Sequence, residues 1–102
     1  REHFVVVLLN TKNEVIEAPT ISVGTLSSSL VHPREVFKPA IRASAASVVL
    51  AHNHPSGRVE PSREDREVTG RVAEAGGIIG IEVLDHVIVG EGYFSMKEHG
   101  ML

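Results

Sequence analysis

The sequence of 102 residues contains no cysteine and no tryptophan. A chain without cysteine has no disulfide framework, no thiol nucleophile and no iron–sulfur cluster, and any metal site in it must use histidine and carboxylate ligands. Aromatic side chains are also scarce, with one tyrosine and three phenylalanines. This scarcity disfavours recognition of single-stranded nucleic acid by stacking of bases on aromatic rings.

Long apolar runs and an excess of positive charge are missing as well. The longest apolar runs, at residues 4–9 and 48–51, are far shorter than the roughly 20 residues of a membrane-spanning helix. Ten Lys and Arg against 13 Asp and Glu give a net charge of −3, which disfavours a strongly basic, non-specific polyanion binder. We expect no association with membranes, and the absence of cysteine fits a cytoplasmic location.

The length of the chain and its first residues bear on domain organisation. A chain of 102 residues supports one hydrophobic core, so we expect a single domain over residues 1–102. The sequence begins at Arg1 rather than at methionine and enters a strand-like run almost at once. We interpret it as a domain excised from a longer chain, with an N-terminal segment missing.

Runs of β-branched and aliphatic residues predict a set of strands. The expected strands lie at residues 4–9, 14–23, 47–51, 78–84 and 86–89, the last two joined or separate. Turn residues at 10–13 connect the first two strands into a hairpin. Pro19 should make the second strand irregular because proline has no amide hydrogen to donate to a ladder. The tail, residues 93–102, is expected to form a short turn or helix at the edge.

Helical spacing of apolar residues predicts two helices, the first preceded by a serine-rich loop at residues 24–32. This helix starts near Pro33, and Pro39 inside it should cause a kink or a late start, because proline clashes with the preceding turn. The second helix spans about residues 62–75 and should stop at the adjacent glycines Gly76 and Gly77. Strands alternating with two helices indicate an α/β or α+β sandwich.

Two histidines lie two positions apart at the end of the third predicted strand. Side chains at positions i and i+2 share one face of a strand, with Cα atoms about 6.6 Å apart, so His52 and His54 can converge on one ion. Asp65, in the first turn of the second helix, is the best candidate for a third ligand, because residues 55–64 are long enough to fold back. Two histidines, one aspartate and a water fit a catalytic zinc site.

Hydrolytic chemistry at such a site also needs a proton carrier and a hydrogen-bond donor for the oxyanion. Glu2, immediately before the first strand, and Ser62, one helical turn before Asp65, can take these two roles. Each residue also has a structural explanation. Ser62 and Asp65 fit the N-cap and the third position of a helical capping box, and Glu2 is a charged residue at the start of a strand.

The segment His52-Asn53-His54-Pro55, followed after six residues by Ser62-Arg63-Glu64-Asp65, resembles the JAMM motif of MPN/JAB-type metalloproteases. Residues 33–37, 43–46, 51–57 and 84–86 resemble the bacterial RadC branch of that family in particular. The resemblance extends from Glu2 to about Ser95. It implies a cytidine-deaminase-like MPN/JAB sandwich of the α/β class, with a mixed β-sheet flanked by two main helices.

The resemblance also implies a set of functional residues. It makes His52, His54 and Asp65 the ligands of Zn²⁺. It gives Ser62 the role of orienting the water and stabilising the oxyanion, and Glu2 the role of general acid and base. The implied activity is that of a zinc-dependent metallopeptidase or isopeptidase, which hydrolyses an amide bond in a peptide or protein substrate.

Asn53 and the pair Asp85–His86 are further residues of interest. Asn53 stands where deubiquitinating members of the family have Ser or Thr, as is typical of the RadC branch, and this disfavours a ubiquitin-type substrate. Asp85 and His86 lie at the junction of two apolar runs. They are either an outer pair that orients a metal ligand or a structural histidine beside a turn, and the sequence leaves both interpretations open.

A second class of function also stays open. Arg34, Lys38 and Arg42 recur every four residues and predict a basic stripe on the first helix. RadC-like proteins are traditionally called DNA-repair proteins, so the alternative is a nucleic-acid- or protein-binding module of DNA-repair complexes without strong catalysis. Unpaired sheet edges permit a homodimer.

Deamination of nucleobases by a zinc enzyme is a very unlikely function for this chain. The zinc motif of those deaminases contains cysteine, and the sequence has none.

Overall fold

The computed structural model describes residues 1–24 and 31–102, which form six strands and two helices. In chain order these elements are β1 (Glu2–Leu9), β2 (Val15–Glu17), β3 (Thr20–Gly24), α1 (Pro33–Arg42), β4 (Ser47–Asn53), α2 (Arg63–Ile79), β5 (Glu82–Gly90) and β6 (Gly92–Ser95). The strands form one sheet in the order β2–β1–β4–β5–β6, and β3 also pairs with β1. Only the β4–β5 pair is parallel among these strands. The predicted α/β fold with a mixed sheet and two main helices is confirmed.

The hairpin that follows β1 forms as the turn residues predict. The side-chain oxygen of Asn10 closes the turn by accepting hydrogen bonds from the amides of Lys12 and Glu14. The second predicted strand is divided into β2 and β3, which both pair with β1. At the break, the carbonyl oxygen of Pro19 accepts a hydrogen bond from the amide of Val6 at 3.0 Å. The predicted irregularity at Pro19 is therefore confirmed.

The helix α1 starts at a proline, where the missing amide hydrogen costs no helical hydrogen bond. It runs without a break to Arg42 with Pro39 inside it, so the expected late start is wrong. The predicted basic stripe is exposed on this helix: Arg34, Lys38 and Arg42. The loop predicted at residues 24–32 falls mostly on residues 25–30, which lie outside the described residues.

The adjacent glycines do not end α2, and that prediction is wrong. The helix continues to Ile79 and ends at Gly80, which adopts the left-handed conformation with φ of 89°. The amides of Gly80 and Ile81 both donate to the carbonyl oxygen of Gly76, at 2.8 and 3.0 Å. The strand predicted from residue 78 consequently starts only at Glu82, because residues 78 and 79 belong to the helix.

The last third of the chain differs from the prediction in two ways. The apolar runs predicted as one or two strands form one continuous strand, β5, of nine residues. The tail contains a strand, β6, that pairs antiparallel with β5 and is followed by a turn at residues 96–100. A turn was expected there, but the strand was not. No helix in the described part of the chain is long and apolar enough to cross a membrane.

The core lies between one face of the sheet and the two helices. Alternation along β1 buries Phe4, Val6 and Leu8, whereas Val5 and Val7 on the other face are half-buried. The helices and the other strands complete the same core with Val36, Phe37, Ala40, Val48, Leu50, Val68, Val72 and Val83. This shared core fixes the start of α2 against the end of β4, and the candidate site lies at that contact.

Alanine substitutions at Gly76 and Gly77 should have opposite effects on stability. A Cβ at Gly76 would lie 2.5 Å from the carbonyl oxygen of Ile81 and 3.1 Å from the ring of Phe37, whereas a Cβ at Gly77 meets nothing within 4 Å. We expect Gly76→Ala to lower the free energy of unfolding by about 1–3 kcal/mol. Gly77→Ala should raise it by about 0.5–1 kcal/mol, since alanine favours helix. Urea denaturation measures both, and equal effects would contradict this packing.

Candidate metal centre

Three side chains from neighbouring elements meet where β4 ends and α2 begins. His52 lies in β4 and His54 follows the last residue of that strand. Asp65, the third residue of α2, has its Oδ1 atom 3.1 Å from Nε2 of His52 and its Oδ2 atom 3.0 Å from Nε2 of His54. The two Nε2 atoms are 3.0 Å apart. The structure therefore brings the three predicted ligands into one group that can hold a metal ion.

The group is closed on one side and open on the other. His52 and Asp65 are only 3% and 1% exposed, and the ring of Phe4 stacks on the imidazole of His52 with centroids 5.9 Å apart. His54 is partly exposed at the mouth of a cleft of about 400 Å³. The cleft is lined by Glu2, His54, Pro55, Ser56, Ser62, Glu64 and Asp65. A substrate can therefore approach the group from the cleft.

The capping box of α2 positions Asp65. The amide of Asp65 donates to Oγ of Ser62 at 3.1 Å, and the amide of Ser62 donates to Oδ2 of Asp65 at 2.7 Å. The structural explanation and the ligand hypothesis are thus compatible, because the cap occupies Oδ2 while Oδ1 faces His52. Ser62 Oγ acts only as an acceptor in the cap. Its hydroxyl hydrogen can therefore be donated to another acceptor in the cleft.

Asp65 is a carboxylate at neutral pH. Burial on its own raises the pKa of Asp65, but the neighbouring His52 and the hydrogen bonds from Ser62 outweigh burial and hold this pKa well below its ordinary value. The N-terminus of α2 also favours a negative charge in the first helical turn. The candidate ligand set therefore combines one negative oxygen donor with two imidazole nitrogens.

A main-chain oxygen fixes which ring nitrogen of His54 faces the group. Nδ1 of His54 lies 2.7 Å from the carbonyl oxygen of Arg58, and a carbonyl oxygen can only accept a hydrogen bond. Nδ1 therefore carries the hydrogen of the neutral ring, and Nε2 presents an electron pair towards Asp65. Histidines that bind metals are commonly oriented by such an outer hydrogen bond.

A buried chain of hydrogen bonds orients the ring of His52 in the same way. The hydroxyl of Thr69 donates to the carbonyl oxygen of Asp65 at 2.7 Å, so its oxygen accepts from Nδ1–H of His86. Nε2 of His86 then accepts from Nδ1–H of His52 at 2.8 Å, and Nε2 of His52 is left with an electron pair. Burial and the nearby His52 lower the pKa of His86 to about 3, which keeps its ring neutral. Sequence reasoning missed Thr69, whose only signal is its place one helical turn after Asp65.

Asp85 and His86 have separate roles. The ring of His86 is fully buried against His52, which supports the interpretation of His86 as a residue that orients a metal ligand. The carboxylate of Asp85 instead accepts hydrogen bonds from the amides of His86 and Lys97 and from the hydroxyl of Ser95. Asp85 therefore holds the tail against β5, and its hydrogen bond with His86 comes from the main-chain amide rather than from the imidazole ring.

The donor atoms fit a divalent metal ion. Two imidazole electron pairs and a carboxylate face one another at 3.0–3.1 Å, and a cation or additional protons must offset the repulsion among them. Ligand atoms about 2.1 Å from one tetrahedral ion lie about 3.4 Å from each other, which is close to the observed spacing. Three protein ligands also leave a coordination position for water, as catalytic metal sites require.

A larger cavity at the other end of α2 lacks this chemistry. Its volume is about 580 Å³, and it is lined by Ala46, Ala73, Gly76, Gly77, Gly80, Glu82, Val83 and Leu102. Among these residues Glu82 alone has a charged side chain, and most of the others are small or apolar. We therefore place the candidate functional site at the smaller cleft, where several polar groups converge.

A mixed sheet with two helices and a His–His–Asp group at a strand end is consistent with the JAB class of domains. The family model of the RadC-like JAB domain matches residues 1–101, and the chain belongs to this RadC family. The UPF0758 protein of Clostridioides difficile (strain 630) is 63% identical over 100 residues, which cover 97% of this chain and 43% of the relative. The UPF0758 protein of Symbiobacterium thermophilum is 64% identical over 102 residues, covering 99% and 44%. The chain spans less than half the length of these relatives.

Removal of a ligand should abolish tight metal binding. We expect the metal-free protein to bind one Zn²⁺ ion, and His54→Ala or Asp65→Asn to weaken binding by at least ~100-fold, because each removes a donor atom. His99→Ala is the control, since His99 stacks on Phe94 in the tail and is not part of the group. Competition with a chromophoric chelator measures the affinity. Unchanged affinity in both ligand variants would contradict the site.

Two substitutions at His86 should distinguish the effect of its hydrogen bond on metal binding from the effect of its volume. His86→Gln retains an acceptor for Nδ1–H of His52, whereas His86→Leu fills the space without one. We expect His86→Leu to weaken Zn²⁺ binding by about 10- to 100-fold and His86→Gln to weaken it less. Circular dichroism establishes that both variants fold. Equal Zn²⁺ affinity in His86→Leu and the unsubstituted chain would show that the hydrogen-bond chain does not support the ligand.

Proposed function

We propose that this chain is the catalytic domain of a zinc-dependent peptidase that hydrolyses an amide bond in a peptide or protein. One observation carries this proposal: Glu2 and Ser62 line the same cleft as His54 and Asp65. A proton carrier and an oxyanion donor therefore flank a group of metal-binding side chains. Zinc suits two imidazoles, one carboxylate and an open position better than the oxygen-seeking ions Mg²⁺ and Ca²⁺ do.

The register of the sheet supports the role of Glu2. Phe4 is paired with His52 across β1 and β4, and its ring packs on the imidazole. Glu2 precedes Phe4 by two positions, so its side chain is directed to the same face of the strand. Glu2 thus reaches the cleft from the sheet, whereas Ser62 reaches it from the start of α2.

The proposed reaction uses these groups in sequence. When bound, zinc lowers the pKa of water and polarises a carbonyl group. The carboxylate of Glu2 takes a proton from the attacking water as the water oxygen adds to the carbonyl carbon. The hydroxyl of Ser62, whose hydrogen is not used in the cap, donates to the oxyanion. Glu2 then gives the proton to the amide nitrogen and the C–N bond breaks. The second proton of the water passes from the new carboxyl group to the amine, so a carboxylate and an ammonium group leave.

The nucleic-acid alternative has weaker support. Arg34, Lys38 and Arg42 are exposed on α1, and Arg34 lies 3.9 Å from the carboxylate of Glu35. None of these residues lines the cleft at the candidate metal centre. The converging polar groups of that cleft therefore favour hydrolysis as the proposed function.

Glu2→Gln should retain the metal and lose hydrolysis, because the amide keeps the shape of the side chain but cannot accept a proton at neutral pH. The matched control is Glu64→Gln, which changes another carboxylate in the same cleft. We expect hydrolysis to fall by at least ~100-fold in Glu2→Gln and by less than about threefold in the control. The zinc-loaded proteins are incubated with peptides and intact proteins extracted from a bacterial proteome, and newly formed amines are labelled and identified by mass spectrometry.

The position of the new amine identifies the bond. A new α-amine indicates cleavage of a linear peptide bond, and a new lysine ε-amine indicates cleavage of an isopeptide bond. The same new amines from the Glu2→Gln and unsubstituted proteins would contradict the role of Glu2. No new amines from the zinc-loaded, unsubstituted chain would contradict peptidase activity of this domain.

A further inference from the structure

The hydrogen-bonded ladder between β1 and β4 stops just before the first residues of β1. Its last pair is Phe4 with His52. β4 is paired with β5 along its whole length, and beyond His52 only this pairing continues: Asn53 pairs with Val89, and the amide of His54 donates to the carbonyl oxygen of Val89 at 2.9 Å. The main chain of β4 therefore does not continue its ladder along the first three residues of the chain.

The side chain of Asn53 bonds to this part of β1 instead. Its Oδ1 accepts a hydrogen bond from the amide of His3 at 2.6 Å, and its Nδ2 donates to the carbonyl oxygen of Arg1 at 2.8 Å. These two atoms belong to the peptide groups on either side of the Cα of Glu2. On the opposite edge of β1, Glu2 is paired with Gly24 of β3. The main chain around Glu2 is thus held from both sides.

We propose that Asn53 is a positioning residue that fixes Glu2 and thereby holds its carboxylate in the cleft. This inference rests on the proposed function, in which Glu2 carries the proton. Because both flanking peptide groups are held, the backbone dihedral angles of Glu2 and the direction of its Cα–Cβ bond are fixed. Asn53 also lies between His52 and His54 in the sequence. Its side chain therefore fixes the position of Glu2, the proton carrier, relative to the positions of these two metal ligands.

The chemistry of the side chain explains why asparagine is suited to this position. The carboxamide combines an acceptor and a donor on one planar group, as a peptide group does. A serine hydroxyl has one oxygen and cannot reach both atoms in the same way. An aspartate would keep the acceptor for the amide of His3 but would place a second oxygen against the carbonyl oxygen of Arg1. The proposal therefore predicts that Asn53→Asp, despite its equal size, disrupts the arrangement.

A structural readout tests the positioning without any assay of hydrolysis. The protein is loaded with Co²⁺, whose unpaired electrons broaden the NMR signals of nearby protons. We expect strong broadening of the Glu2 methylene signals in the unsubstituted chain, and at least ~twofold less in Asn53→Ala and Asn53→Asp, because broadening falls steeply with distance. Hydrogen exchange of the His3 amide should become at least ~10-fold faster in Asn53→Ala, since its acceptor is lost. Co²⁺ affinity should stay within about threefold.

The kinetic test asks whether Asn53 acts through Glu2. We expect Asn53→Ala to lower kcat by about 10- to 100-fold with little change in KM, because the carboxylate is misplaced rather than removed. In a Glu2→Gln background the same substitution should cause no further loss, as a double-mutant cycle requires of coupled residues. The control is Asn10→Ala, which also removes two hydrogen bonds between a side chain and the main chain, here both donated by amides, but at the other end of β1. It should leave kcat unchanged.

Each result bears on one claim. Unchanged broadening of the Glu2 signals in Asn53→Ala would overturn the inference, whatever the activity. The inference would also be overturned if Asn53→Ala lowered kcat by the same factor in the Glu2→Gln background. Such a result would mean that the effect of Asn53 does not depend on the carboxylate of Glu2. If Glu2→Gln remains fully active, the role of Glu2 in the proposed function fails, and the Co²⁺ experiment still decides whether Asn53 holds Glu2 in the cleft.

Discussion

The carboxylate of Asp65 joins the start of α2 to the end of β4, and the arrangement of the site depends on it. One oxygen accepts the amide of Ser62 and so begins the helix, while the two oxygens together face both histidines at 3.0–3.1 Å. A helix cap and a metal ligand are therefore the same chemical group. Because the cap fixes the side chain before any ion binds, the carboxylate needs little rearrangement to act as a ligand.

Both histidines and Glu2 are oriented by polar groups that take no part in the proposed chemistry. The carbonyl of Arg58 orients His54, and the chain through His86 and Thr69 orients His52. That chain ends on the carbonyl oxygen of Asp65, so it also connects β4, β5 and α2. Asn53 acts on the main chain around Glu2 in a comparable way. These outer hydrogen bonds keep the side chains of the site in a small range of orientations, as the proposed hydrolysis requires.

Much of this site could be predicted because its signals are local. Alternation along a strand places His52 and His54 on one face, and the spacing from Ser62 to Asp65 marks the first turn of a helix. The β-branched run of β1 and the turn at Asn10 are signals of the same kind. The family resemblance supplied the assignment of roles, above all for Glu2, whose distance from the histidines in the sequence has no fixed value.

Other features depend on contacts between residues that are distant in the sequence. Gly76 and Gly77 have the local signature of a helix end, yet α2 continues past both, and at Gly76 the main chain of Ile81 and the ring of Phe37 occupy the space that a side chain would need. Thr69 and His86 meet across 17 positions. Asn53 bonds to residues 50 and 52 positions away, where β4 leaves β1. No window of sequence contains both partners of such contacts, so only the folded chain reveals them.

X-ray diffraction at the zinc absorption edge, on crystals of the chain grown with one equivalent of Zn²⁺, locates the bound ion and its ligands. We expect one anomalous peak, bonded to Nε2 of His52, Nε2 of His54 and a carboxylate oxygen of Asp65, with its remaining position open to the cleft that contains Glu2. A zinc ion bound elsewhere, or bound without Asp65, would contradict this metal centre.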